Sequence, residues 1–331
     1  MIAISRTLPF RKLQGRIGSA TYRLNTVLVG LALVADGCDK PRELAVTWTK
    51  PPTKTIAKQV ADQAEIFSCT AAVVFAADVF DQFIREIAKQ EWLDFSPNAR
   101  DIATKAKTRA KNEGGDYSVA ERVVALLSDL KVPIGPGVAA IELFSKWRNI
   151  TVHSSEREYK LDTVMRKLLI KGKEHFNKHY SHLNIELAIQ NFESRKTPVP
   201  KEATSLIAVA QNISRSIDEA SIRRAAGTPQ LVQKVADKLL MTYFTNSKRK
   251  TQAWIEIAEA WQGPMERRRT NLEKIMQKVG LTDTQKAVSA ELPASYIEEI
   301  VALDREDVAD RFGIKKTAGG PLLFLPGQGN I

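Results

Sequence analysis

The chain has 331 residues, 44% of them hydrophobic and 26% charged, the make-up of an ordinary soluble protein with room for two domains or for one domain with extensions. A formal net charge of +11 and a pI near 9.5 point to a polyanionic partner, nucleic acid before membrane. Cys38 and Cys69 form neither a CxxC pair nor any metal-ligand spacing and sit among small or apolar residues, which predicts buried free thiols in a reducing compartment.

Residues 1–55 differ in texture from the rest. Val27–Ala35 is apolar, Asp36-Gly37 is a turn signal, Glu43–Thr49 alternates in a β-prone way, and Pro51-Pro52 closes the segment. The pattern predicts a small β-like, hairpin-forming N-terminal extension, with Val27–Ala35 as a buried strand or short helix. The apolar run follows basic residues as in a secretory leader, but Asp36 before Gly37-Cys38 spoils a lipoprotein-type cleavage site. No continuous apolar run approaches the length of a membrane span, so the expectation is a cytoplasmic protein without a membrane partner.

From residue 56 the period becomes helical. Phe80, Phe83, Ile84 and Ile87 repeat as one helix stripe. Pro97 interrupts, a lysine-rich helix follows to Lys111, and Gly114-Gly115 breaks the chain. Ser118 and Glu121 form a capping box ahead of the stripe Val123, Leu126, Leu127 and Leu130. After the turn Pro133–Gly137 a helix is expected from about Val138 to His153, then another marked by Leu161, Val164, Met165, Leu168 and Leu169. Short turns between amphipathic helices predict a mainly α protein with an up-and-down bundle over residues 56–195. A polar segment at 194–204, with Pro198 and Pro200, reads as a linker to a C-terminal helical region, 196–331. There Leu206, Val209, Ile213 and Ile217 form one stripe. Thr228-Pro229 is an N-cap followed by proline in the first turn. Trp254, Ile257, Ala258 and Trp261 form a stripe, as do Leu272, Ile275, Met276 and Val279; such spacing marks core rather than a cofactor box. Ser295 and Glu298 are expected to cap a last helix, before a glycine-rich extended tail from Gly313 to Ile331.

The chemistry-bearing stretch is Arg148-Asn149-Ile150-Thr151-Val152-His153. On a helix Asn149 and His153 share a face, and Arg148 lies about a quarter turn from Asn149. Histidine exchanges a proton near neutral pH, and arginine presents a flat fork of donors that fits a phosphate. RNA carries its own nucleophile, the ribose 2′-hydroxyl. An enzyme need only remove that proton, stabilise charge on the phosphoryl oxygens and protonate the leaving 5′-oxygen. One histidine cannot serve as acid and base in the same step.

The run Ser145–His153 resembles the signature of the HEPN superfamily, in which arginine, a polar residue and a histidine lie on one helix; the resemblance covers at most residues 56–195. It implies a metal-independent endoribonuclease without cofactor, with Arg148, Asn149 and His153 catalytic. It implies a homodimer whose motif helices face each other, and RNA as the bound polymer. It also implies a role as a bacterial toxin or antiviral-defence effector, and with it a regulatory or antitoxin partner. The family often adds an acidic residue from an earlier helix; Asp78 and Asp81 are placed for this, with solvated surface acids as the other reading. The alternative function is a non-catalytic nucleic-acid or nucleotide-binding module, or a partner subunit.

Two further groups stand out. His175, His179 and His182 recur at one-turn spacing with Glu186 beyond them, a spacing that can bind zinc. Lys171, Lys173 and Lys178 oppose a cation there, and no Glu follows His175 as a metalloprotease base, so a surface stripe is the preferred reading. Lys146, the cluster Lys248-Arg249-Lys250 and the triplet Arg267-Arg268-Arg269, with Lys274 and Lys278 nearby, are the expected RNA-phosphate contacts, against the default of a solvated face.

Overall fold

In the computed structural model the described residues are 2–104, 117–152, 160–245, 250–282 and 287–314. They are mainly helical: fourteen α-helices and a single 3-10 turn, Glu91–Leu93, with two isolated antiparallel bridges and no strand among them. The chain divides into two units, residues 9–221 and residues 1–8 with 222–331.

The larger unit is built on α2 (Lys54–Ala88), whose first turn is closed by the Thr53 hydroxyl accepting from the Ile56 amide at 3.3 Å. Its buried stripe runs from Cys69 and Val73 through Ala76, Phe80, Phe83, Ile84 and Ile87. Three helices pack on it: α3 (Pro97–Thr104), α4 (Val119–Asp129) and α5 (Pro136–Val152). The predicted capping box at α4 is present in both halves: Ser118 Oγ accepts from the Glu121 amide at 3.1 Å and Glu121 Oε2 from the Ser118 amide at 2.6 Å. Helix α5 is the centre of the bundle. Val138, Ala139, Ala140, Ile141, Leu143, Phe144 and Trp147 are all buried, and it packs on α2, α4, α6 (Thr163–Lys171) and α8 (Ile185–Glu193). Gly172 ends α6 and passes so close to the start of α5 that an added Cβ would lie 2.4 Å from Pro136 Cβ. Of the expected linker 194–204, residues 194–199 are the turn between α8 and α9 (Pro200–Ala226) and 200–204 are already helical; buried Glu202 in that first turn accepts from the Val199 amide and from Asn191 Nδ2.

The N-terminal segment is not the expected β-like extension. Residues Leu8–Ala35 form one helix, α1, of 28 residues, and no strand forms over Glu43–Thr49. The β-prone run Val27–Ala35 is the end of a longer pattern: Phe10, Leu13, Ile17 and Leu24 are buried at helical spacing. Phe10 packs on Phe83 of α2 at 6.0 Å. The run itself is largely uncovered, with Val29 63% and Leu33 52% exposed; Tyr22, Val29 and Leu33 fall on the face opposite Leu13, Ile17 and Leu24. Cys38 is exposed, and only Cys69 is the buried thiol expected of both. By length and mean hydropathy, α1 and α2 each hold an 18-residue window able to cross a membrane; 11% of the window is buried in α1 and 39% in α2. Scattered polar residues interrupt both windows, so neither is a continuous apolar run.

The smaller unit contains α10 (Pro229–Thr245), α11 (Lys250–Ala260), α12 (Met265–Val279), α13 (Ala294–Ala302) and α14 (Arg305–Arg311). The Thr228 hydroxyl accepts from the Leu231 amide at 3.3 Å, the cap predicted for Pro229. Its core joins Val232, Leu240 and Phe244 to Leu272, Met276, Ile300 and Phe312. Ser295 and Glu298 do not cap a last helix: Pro293 precedes α13, and α14 follows, capped by Asp304 accepting from the amides of Glu306 and Asp307 at 2.8 Å. Tyr296 donates to Asp237 at 2.8 Å, and burial together with the Asp237 charge pushes its phenol well above the usual range. The lysine-rich helix beyond Thr104 and the tail after Ile314 lie outside the described residues.

Candidate active site

Helix α5 carries Arg148 and Asn149, and the bundle holds it rigidly at this point. Trp147, one residue before Arg148, is 2% exposed; its indole Nε1 donates to the Lys196 carbonyl at 3.0 Å, and its ring meets Phe192 edge-on at 5.8 Å. Since successive helical residues point about 100° apart, an inward Trp147 turns Arg148 and Asn149 toward the neighbouring surface of α2. There Arg148 meets Asp78: Nε and Nη2 both reach Oδ1, at 2.9 and 2.8 Å. Arg148 Nη1 donates to Asn149 Oδ1 at 3.2 Å. A guanidinium has five N–H donors, so these contacts leave donors for a phosphate oxygen.

The three residues line a cleft of about 700 Å³ between α2, α5 and the start of α4. Asp81, Arg85, Arg122, Glu142 and Lys146 line it as well. Asp81 sits between two guanidinium groups, with Oδ2 2.9 Å from Arg85 Nε and Oδ1 2.5 Å from Arg122 Nη1. Arg122 is 2% exposed and among the largest fully buried side chains. Asp81 is thus a partly buried acid held between two arginines, whereas Asp78 pairs with Arg148 and is still 54% exposed, a surface acid as well as a partner. Lys146, expected as a phosphate contact, is at the cleft wall; its Nζ donates to the Lys160 carbonyl at 2.8 Å and lies 3.8 Å from Glu142.

His153 follows the last residue of α5 and lies outside the described residues, as do Ser154 and Ser155.

Sequence reasoning missed Arg85, Arg122 and Glu142. Arg122 had a readable signal: it stands four residues before Leu126, in phase with an apolar stripe, and a charged residue in that position is buried against a partner.

The three-histidine stripe does not form. Helix α7 (Lys173–His179) ends before His182, which has φ 60° and a 2.8 Å contact from Nδ1 to Asn177 Oδ1. His175 and His179 remain neighbours, 4.8 Å between ring centroids; desolvation first and then His179 lower the His175 pKa. Among the described residues no group of three or more His, Cys, Asp or Glu side chains is placed to hold a metal.

The remaining predicted phosphate contacts belong to the smaller unit. Lys248 and Arg249 lie outside the described residues, and Lys250 begins α11. Arg267 is exposed. Arg268 instead donates to the carbonyls of Gly263 and Leu303, at 3.1 and 3.2 Å, and Arg269 pairs with Glu298. Within their own unit, then, Arg268 ties the segment before α12 to the C-terminal end of α13, Arg269 makes a surface pair with the middle of α13, and Arg267 is exposed.

No protein-family model matches the chain, and no curated protein and no solved structure matches it.

Proposed function

We propose that the protein is a metal-independent endoribonuclease of HEPN type, working as a homodimer through the motif helix in the cytoplasm. The observation that carries this reading is the cleft in which Arg148 and Asn149 stand side by side, with Arg148 held by Asp78. In the proposed reaction Arg148 grips a non-bridging phosphate oxygen and stabilises charge as the ribose 2′-hydroxyl attacks. Asp78 fixes the plane of the fork, and Asn149 orients it from the other side. His153 supplies the proton transfer, and the His153 of a second copy supplies the complementary one. Toxin or antiviral-defence activity, with a regulatory or antitoxin partner, completes the proposal.

The test is cleavage of total RNA in EDTA by wild-type protein, Arg148→Ala and His153→Ala. Wild type should leave 2′,3′-cyclic phosphate or 3′-phosphate ends. Each variant should lose at least about 100-fold in rate, the lower end of what general acid–base catalysis contributes. Wild-type rates in Arg148→Ala, or activity that needs added zinc or magnesium, overturn the reading.

One observation favours a second reading, a non-catalytic nucleic-acid or nucleotide-binding module: Arg148 already holds a carboxylate, so the cleft is stable without substrate. RNA binding by wild type without cleavage would select it.

A further inference from the structure

Next to the cleft the surface presents a fixed guanidinium plate. Arg16 of α1 lies over the Phe75 ring of α2, its Cζ 5.5 Å from the ring centroid. Its Nη1 donates to Gln82 Oε1 at 2.5 Å, and Gln82 Nε2 donates in turn to Glu86 Oε1 at 2.7 Å. Glu86 also pairs with Lys12, 3.5 Å away. Thus Phe75 backs the guanidinium and Gln82 holds its edge, while Arg16 itself stays exposed. Exposed arginines usually sample many rotamers; this one lies over an aromatic ring and is tethered by Gln82, so less ordering remains to oppose a ligand. Phe75 is also 39% exposed although it belongs to the core helix of the bundle.

Position gives the plate its meaning. Phe75 and Asp78 are three residues apart on α2, hence neighbours on its surface at roughly 5–6 Å between Cβ atoms. Asp78 is the residue that holds Arg148. A strand whose phosphate reaches Arg148 therefore brings an adjacent base to Arg16. Bases in single strands stack on aromatic rings and on arginine planes, and a plate of this kind takes any base because every base has a π-face.

We infer that Arg16, backed by Phe75 and held by Gln82, is a stacking subsite for a nucleobase of single-stranded RNA next to the phosphate held by Arg148. The inference rests on the ribonuclease reading for its substrate and adds the requirement that the target be unpaired at this position. A duplex keeps its bases stacked on each other and cannot offer one to the plate.

The experiment uses the full chain and a fluorescein-labelled 2′-O-methyl RNA octamer, which cannot be cleaved because its nucleophile is blocked. Anisotropy is read at several salt concentrations for wild type, Arg16→Lys and Phe75→Leu. Arg16→Lys keeps the charge and loses the plane; Phe75→Leu keeps apolar bulk and loses the backing ring. Each should weaken binding by about 5- to 150-fold, the measured range for one base stacked on one side chain. The slope of log affinity against log salt should be unchanged in Arg16→Lys, since no charge is lost. Placing an abasic site along the octamer should find one position whose removal weakens wild type but not Arg16→Lys. Wild-type affinity in both variants, or equal sensitivity to every abasic position in both proteins, overturns the subsite. If wild type binds the octamer in an Arg16-dependent way yet never cleaves unmodified RNA, the subsite stands and the nuclease reading falls. If wild type does not bind the octamer, the subsite falls, whatever the cleavage assay gives.

Discussion

Removing Asp81 should damage the protein far more than removing the arginine it holds. Arg122 is 2% exposed, and its ion pair in the cleft is to Asp81 at 2.5 Å, whereas Asp81 is 26% exposed and keeps Arg85 at 2.9 Å. In Asp81→Ala the Arg122 charge stays buried with nothing to offset it, which costs about 3–5 kcal/mol. For a unit of this size each kcal/mol shifts Tm by roughly 2–4 °C, so a fall of about 6–20 °C is expected. Arg122→Met takes the buried charge away and leaves an exposed-edge carboxylate with its second partner, so it should stay within about 1 kcal/mol of wild type. The double variant should then return to the stability of Arg122→Met, a coupling equal in size to the Asp81→Ala loss, about 3–5 kcal/mol. Urea and thermal unfolding followed by near-UV circular dichroism give all four corners of the cycle. If Asp81→Ala is as stable as wild type, or the double variant is no better than Asp81→Ala, the buried pair does not have the asymmetry argued for it.

The other predictions concern packing and reactivity. Gly172→Ala should destabilise by about 1–3 kcal/mol, because its Cβ would press on the Pro136 ring and not because of backbone strain, φ being −85°. Pro136→Gly in the same background, which removes the Cβ along with the ring, should recover part of the loss in the same unfolding assay; no recovery would place the cost elsewhere. Cys69 is buried and its thiol is pushed up to about 11, by burial first and then by Glu65 and Glu202. At pH 8 a thiol reagent should therefore modify exposed Cys38 and spare Cys69 until the protein is unfolded; equal labelling rates in the native state would contradict the burial.

How far the sequence could be read depended on whether a pattern was local. The capping box at Ser118 and the N-cap at Thr228 were legible because every atom involved lies within one helical turn, although the same pattern at Ser295 and Glu298 forms no cap. The α2 stripe was legible because Phe80 to Ile87 repeats without interruption. The N-terminal helix was not, since Val27–Ala35 holds β-branched and apolar residues in a row and the deciding stripe begins far upstream at Phe10. Arg148 and Asn149 stood out in the sequence by their spacing, whereas the side chains they contact did not. Asp78 is seventy residues away in the chain, and no pattern on α2 separates an acid that holds an arginine from one that faces water. The histidine stripe failed for a local reason: Tyr180 ends α7, and the next two residues take positive φ.

The paired charges of the cleft bear on how it would find its ligand. Among the described residues lining it, Arg85, Arg122, Lys146 and Arg148 face Asp78, Asp81 and Glu142, so the walls come close to electrical balance. The +11 of the chain is carried elsewhere. A balanced pocket exerts little pull at a distance, and long-range capture of a polyanion falls to the outer surface. On the proposed reading the cleft works at close range, where a phosphate would meet the guanidinium donors that Asp78 and Asn149 leave open on Arg148. A site of that kind would discriminate by shape and by donor geometry more than by charge.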